Sequence, residues 1–201
     1  MIDSKDMGLI TRVTAFAEVV STCCCSDSLG KILAIEATFE NILHQLNEIQ
    51  KNNHSLFLIG NGGSAGIASH ALVDFVNIGK LKAFTLHDVS LLTCMANDYG
   101  YENVYSQALE SLISEQDILI AISSSGQSPN ILNAADKALN KKATVITLTG
   151  FDKNNPLRSR GDINIWLNSD DYGFVELGHG FILHNLADRI KFGTGLNRLK
   201  D

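Results

Sequence analysis

Leu9, Val13, Phe16, Ala17 and Val20 recur at helical spacing, and Ile32, Ile35, Phe39, Ile42, Leu43, Leu46 and Ile49 repeat it over a longer stretch. The spacing predicts two amphipathic helices ahead of any strand, whose apolar stripes either cap the domain or build a contact between subunits. From Ser55 the pattern changes. Short apolar runs rich in branched residues, at 56–59, 83–86, 118–122, 144–148 and 163–167, alternate with helical patterns near 64–77, 103–114, 129–140 and 174–191. Continuous apolar strands separated by helices predict an α/β fold with a parallel sheet covered on both faces. The chain is read as one structural unit, with N-terminal helices over 1–53 and the α/β domain over 54–201. In open sheets of this kind ligands gather beyond the carboxyl ends of the strands, so the loops that follow the strands are where chemistry is sought.

Composition narrows the class without changing that picture. A chain of 201 residues with 45% hydrophobic positions can bury a full core. Sixteen basic against twenty-two acidic side chains give a formal charge of −6, which leaves no basic footprint for nucleic acid. The first apolar stretch is interrupted by Arg12 and Glu18 and fits neither a secretory signal nor a membrane span, so a cytoplasmic protein with no membrane partner is expected. Cys23, Cys24 and Cys25 are consecutive and Cys94 stands alone; no CxxC spacing is present, and inert reduced thiols are expected.

Two loops carry candidate chemistry. After the first sheet run comes Gly60-Asn61-Gly62-Gly63-Ser64, with a helix starting at or just after Ser64. Glycines let the backbone approach a ligand, and the free N–H groups of a helix start favour an anion. The same segment also satisfies the dinucleotide fingerprint GxGxxA, which would require an acidic ribose partner after the second sheet run, where only the late Asp88 is available. The third sheet run ends in Ser123-Ser124-Ser125-Gly126-Gln127-Ser128-Pro129, with Ser128 at an N-cap and Pro129 at the first helical position. Four hydroxyls in six residues offer neutral donors to a phosphate, and no Walker lysine follows either loop, which argues against nucleotide hydrolysis.

These residues resemble the sugar isomerase (SIS) domain family and, within it, the phosphoheptose isomerases. The resemblance rests on GNGGSAGIASH at 60–70, LTCMANDYGYENVY at 92–105, DILIAISSSGQSPNIL at 117–132, ATVITLTG at 143–150 and VELGHGFILH at 175–184. It implies a three-layer, flavodoxin-like sandwich with a five-stranded parallel sheet, assembled as a homotetramer with sites at subunit contacts. The implied enzyme is an aldose–ketose isomerase converting sedoheptulose 7-phosphate to the heptose 7-phosphate used for lipopolysaccharide or capsule. Carried over residue by residue, the phosphate grip falls on Gly62, Gly63, Ser64, Ser123, Ser124, Ser125 and Ser128, with Asn61, Asp98 and Glu176 as further substrate contacts. The zinc ligands fall on His70, Asp74, Glu176 and His184, with Asp74 and His184 as the acid/base pair.

His70 and Asp74 are four apart and share one helical face, and imidazole with carboxylate suits Zn2+ acting as a Lewis acid. Glu176 and His184 are eight apart, about 12 Å along one continuous helix, so they share a metal only if Glu176 precedes the helix or a second subunit contributes. His44, His54, His87 and His179 are assigned no role. The chain departs from the family pattern at Asp74, where a Glu is usual, at Glu176, where a Gln is usual, and at Ile78, where an Arg is usual. Two alternatives follow: a non-catalytic SIS-fold sugar-phosphate-binding adaptor or regulator, and an isomerase for another ketose phosphate.

Overall fold

The structure is a computed structural model and describes residues 7–192; the ends of the two expected segments, 1–6 and 193–201, lie outside the described residues. In chain order the elements are α1 (Leu9–Ser21), β1 (Cys24–Asp27), β2 (Ile32–Leu33), α2 (Ile35–Lys51), β3 (Ser55–Ile59), α3 (Gly63–Asn77), β4 (Lys82–Thr85), α4 (Val89–Tyr99), α5 (Val104–Leu112), β5 (Ile118–Ser123), α6 (Pro129–Asn140), β6 (Thr144–Thr149), β7 (Ile163–Trp166) and α7 (Tyr172–Phe192), with short 3-10 turns at Tyr101–Asn103 and Pro156–Ser159.

All five apolar runs form strands, and they pair in parallel in the order β7-β6-β5-β3-β4. The five parallel strands expected are present, and two further strands bring the sheet to seven among the described residues. A hairpin of β1 and β2 extends the β7 edge, with β1 antiparallel to both β7 and β2. The two N-terminal helices are present, but this hairpin separates them.

Two cores enclose the sheet. On one face α2, α3 and α7 bury Phe39, Ile42, Leu46, Phe75, Ile182 and Leu186 against Leu56, Leu58, Ile120 and Ile146. On the other, α5 and α6 bury Tyr105, Leu109, Ile131 and Ala134 against Phe57, Leu119 and Val145. Side chains alternate along each strand, so both faces of the central strands are apolar and the sheet has helices on both sides. The layer predicted from the pattern is therefore observed, and α2 belongs to the main core. By contrast α1 has no buried residue; it leans on α7 through an Arg12–Asp171 ion pair of 2.7 Å and the Phe16–Phe174 ring contact. No helix among the described residues is long and apolar enough to cross a membrane.

The strand order has one reversal, between β3 and β5. Chain leaving β3 turns towards one edge of the sheet and chain leaving β5 towards the other, which opens a crevice at their carboxyl ends. Both candidate loops leave the sheet there.

Candidate active site

The first loop starts where the fully buried strand β3 ends. A side chain at Gly60 would place its Cβ 2.6 Å from the Ser64 carbonyl carbon, so only glycine permits this turn into α3. Tyr105 fixes the same turn by donating its hydroxyl hydrogen to the Gly60 carbonyl oxygen at 2.7 Å. The second loop leaves β5 and enters α6, with Gly126 at φ 63 where a Cβ would strike the Asn155 amide. Two helix starts thus face one crevice.

A cavity of about 270 Å³ lies between them. The structure brings Asn61, Gly62, Gly63, Ser64, Ser123, Ser124, Ser125, Ser128 and Glu176 to its walls, together with Tyr172, which the sequence did not single out. Ser128 occupies the N-cap of α6, as expected, but its hydroxyl caps no backbone group. It lies 3.4 Å from the Ser123 hydroxyl instead. The Ser124 hydroxyl is buried and has no protein hydrogen-bond partner. A buried hydroxyl without a partner is costly, and an acceptor entering the cavity, such as a phosphate oxygen, would supply what Ser124 lacks.

Asp98 is the exception. It is exposed near the end of α4, 2.9 Å from the Asn97 side-chain nitrogen, and lines no wall of this cavity within the chain. Asp88 is occupied as the N-cap of α4, accepting from the Leu91 N–H at 2.9 Å, which removes the ribose partner of the dinucleotide alternative.

Asn61 is held by a residue that sequence reasoning missed. Its amide nitrogen donates to Asn130 Oδ1 at 2.8 Å, and the Asn130 amide nitrogen donates back to Asn61 Oδ1 at 2.9 Å. Tyr101 adds its hydroxyl to Asn61 Oδ1 at 3.3 Å. Asn130 is only 2% exposed, in the first turn of α6, so this reciprocal pair ties the glycine loop to the helix that begins at the serine loop. Through this pair Asn130 fixes the spacing between the two turns.

Next to the phosphate-type cavity lies a second one of about 420 Å³, walled by α3 and α7. Glu176 and Gly63 border both cavities, and the Glu176 carboxylate rests against the Cα side of Gly63. On the far side His70 Nε2 and His184 Nε2 are 2.9 Å apart, and His184 Nδ1 is 3.0 Å from Asp74 Oδ2. The spacing of His70 and Asp74 on α3 therefore does place both on one face, opposite His184 of α7. Glu176 and His184 both belong to α7, so Glu176 does not precede the helix. Its carboxylate stands at the junction of the cavities.

Among the described residues, His70, Asp74 and His184 form a group whose ligand atoms all lie within 4.8 Å of one another. Asp74 Oδ2 is buried, and although His184 approaches it, no hydrogen bond of good direction reaches it. A buried carboxylate oxygen short of donors beside two imidazoles is a donor set that suits a divalent cation such as zinc. Ile78 caps the end of α3 and borders neither cavity.

The histidines assigned no role include one in the core. His179 is fully buried, with Nε2 3.1 Å from the Thr149 carbonyl oxygen, and burial pushes its pKa down to about 4.

Comparison with known proteins places this geometry. A family model described as SIS domain matches residues 31–150. A phosphoheptose isomerase from Helicobacter pylori is 34% identical over 172 residues, covering 82% of this chain and 89% of its own length. The structure of a phosphoheptose isomerase from Francisella tularensis superposes with a TM-score of 0.76 at 25% identity, covering 92% of this chain and 99% of that one. That of a phosphoheptose isomerase from Neisseria gonorrhoeae gives 0.73 at 27% identity, covering 91% and 98%. With more than half its length matched by the family model, and glycine and serine loops meeting at the β3/β5 crevice, the chain belongs to the SIS-domain family.

Proposed function

We propose that this chain interconverts sedoheptulose 7-phosphate and D-glycero-D-manno-heptose 7-phosphate. It is an aldose–ketose isomerase acting on a sugar phosphate, the activity its relatives are named for. The observation that carries this reading is the adjacency of the two cavities: an anion site built from two helix starts opens, across Glu176, onto a cluster of two imidazoles and a carboxylate.

The residues divide the work by position. Ser64, Ser123, Ser124 and Ser128, with the N–H groups at the starts of α3 and α6, hold the phosphate and so fix where the rest of the sugar lies. The sugar chain then runs past Glu176 towards His70 and His184. Isomerisation removes a proton from the carbon beside the carbonyl and returns it to the neighbouring carbon through an enediol. Asp74 and His184, 3.0 Å apart, are the acid/base pair: one accepts the carbon proton while the other moves a proton between the two oxygens. Asp74 is shielded from water while His184 is half exposed, which leaves the imidazole in reach of solvent. His70, Asp74 and His184 would hold Zn2+, which supplies Lewis-acid polarisation of the substrate carbonyl when bound; Glu176, eight residues from His184 on the same helix, would join them only from a second subunit.

The proposed assembly is a cytoplasmic homotetramer with sites at subunit contacts. It is supported by the exposed Val73 and Val76 of α3 and Leu177 and Phe181 of α7, which flank the histidine cluster. The test of function is incubation with sedoheptulose 7-phosphate and detection of the aldose by NMR. Appearance of the aldose anomeric signals supports the reading. An unchanged spectrum, with phosphate binding intact, favours the non-catalytic adaptor instead.

A further inference from the structure

The Cys23-Cys24-Cys25 run takes no part in the sugar-phosphate site, and the fold treats its thiols differently. Cys25 is clamped in β1, opposite Leu33 of β2 and Ile165 of β7. Cys23 precedes the strand, in the turn out of α1, where its N–H donates to the Val20 carbonyl oxygen at 3.3 Å. Residues two apart in extended chain share a face. Cys23 and Cys25 accordingly enter the same core, 6% and 1% exposed, whereas Cys24 Sγ lies 3.6 Å from an Arg158 guanidinium nitrogen. The two core thiols are within hydrogen-bonding reach of each other, and Thr38 in the first turn of α2 reaches Cys25. Only Cys23 of that pair has an approach: it forms part of the wall of a cavity of about 420 Å³ between α2 and α7, beside Ile35, Glu36, Phe39 and Arg189.

We propose that Cys23 and Cys25 are a dithiol that hydrogen peroxide oxidises to an intrachain disulfide, with Cys23 attacking and Cys25 resolving. The Cys23 sulfur attacks one peroxide oxygen, the O–O bond breaks, and the leaving oxygen departs as water after taking the thiol proton. Cys23 is then a sulfenic acid. The Cys25 sulfur attacks the Cys23 sulfur and displaces hydroxide, which takes the Cys25 proton and leaves as a second water. Two thiols are oxidised by two electrons and one peroxide is reduced to two waters.

The geometry permits the bond. Two residues of extended chain separate Cα atoms by about 6.7 Å, at the upper end of the disulfide range, and Cys23 lies outside the strand ladder, held by one backbone hydrogen bond to Val20. Access assigns the roles, since the cavity reaches Cys23 and not Cys25. The hydrogen bond from Cys25 lowers the Cys23 thiol against the opposing effects of burial and the Glu36 carboxylate, while the same contact and burial push Cys25 far up. Of the two sulfurs, the one that faces the cavity is the one a peroxide reaches.

Cys94, exposed on α4, serves as the reference thiol. The folded full-length protein is treated with less than one equivalent of hydrogen peroxide, alkylated, digested with trypsin and analysed by mass spectrometry. The expected product is the 13–31 peptide alkylated only at Cys24 and lighter by two hydrogens, formed about tenfold faster than oxidation of Cys94 and reversed by dithiothreitol. In Cys25→Ser, dimedone is expected to trap a sulfenic acid on Cys23. Oxidation of Cys94 ahead of the run, a bond that includes Cys24, or the absence of any 13–31 peptide lighter by two hydrogens overturns the proposal. The wild-type competition decides on its own if the variant does not fold. None of these outcomes depends on isomerase activity.

Discussion

Replacing Asn130 with Leu removes the tie between the two anion-binding turns while keeping side-chain size. Asn130 exchanges hydrogen bonds of 2.8 and 2.9 Å with Asn61 and is 2% exposed. Two neutral hydrogen bonds at about 1 kcal/mol each give a loss of about 2 kcal/mol, tempered because half-buried Asn61 regains water and keeps Tyr101. For a chain of this length that is a fall in Tm of about 4–8 °C. Stability alone would not establish a positioning role. The informative readout is phosphate affinity: with the glycine loop no longer fixed to α6, KM for the sugar phosphate and Ki for inorganic phosphate are both expected to rise about tenfold, the effect of about 1.4 kcal/mol. Turnover changes less, because His70, Asp74 and His184 are placed by the packing of α3 on α7. A lower Tm with unchanged KM and Ki refutes the positioning argument and reduces Asn130 to a structural residue.

Four further outcomes are expected. His184→Ala abolishes isomerisation without changing the circular dichroism spectrum, since His184 is half exposed; retained turnover removes it from the mechanism. Glu176→Gln takes a negative charge from the border of the phosphate cavity and lowers KM several-fold, measured by steady-state kinetics at low salt; a higher KM shows that the carboxylate assists binding. Protein purified without chelator carries about one zinc per chain by elemental analysis, a stoichiometry that His70→Ala reduces; a metal-free, fully active preparation contradicts the ligand assignment. His179, held at about 4 against an ordinary 6.5, binds fewer protons folded than unfolded between those values. Its stabilising contribution is full above pH 6.5 and is lost as pH falls towards 4, by about 3 kcal/mol, and urea titrations of His179→Gln should show a flatter pH dependence than wild type.

The parallel sheet was legible because its central strands β3, β5 and β6 are buried on both faces and read as largely apolar runs. The hairpin was not. Cys24–Asp27 contains Cys, Cys, Ser and Asp, and β2 is two residues long, so neither carries the alternation that marks a strand. Helix α4 escaped for a related reason: no residue in it is buried, and its start is marked only by the Asp88 cap. At the site, glycine and serine chemistry drew attention to both loops, and the i, i+4 spacing of His70 and Asp74 gave their shared face. Asn130 had no such signal, since its partner is 69 residues away and an Asn near a helix start is unremarkable locally. Nor did spacing reveal that Glu176 stands between the cavities, a fact that depends on how closely α7 crosses Gly63.

A crystal structure of His184→Ala with sedoheptulose 7-phosphate tests the central assignment most directly, because substrate persists when turnover is blocked. The phosphorus atom is expected between the starts of α3 and α6, with its oxygens about 2.5–3.0 Å from the hydroxyls of Ser124 and Ser128 and the sugar extending past Glu176 towards His70. A headgroup bound among the histidines, or outside the β3/β5 crevice, contradicts it.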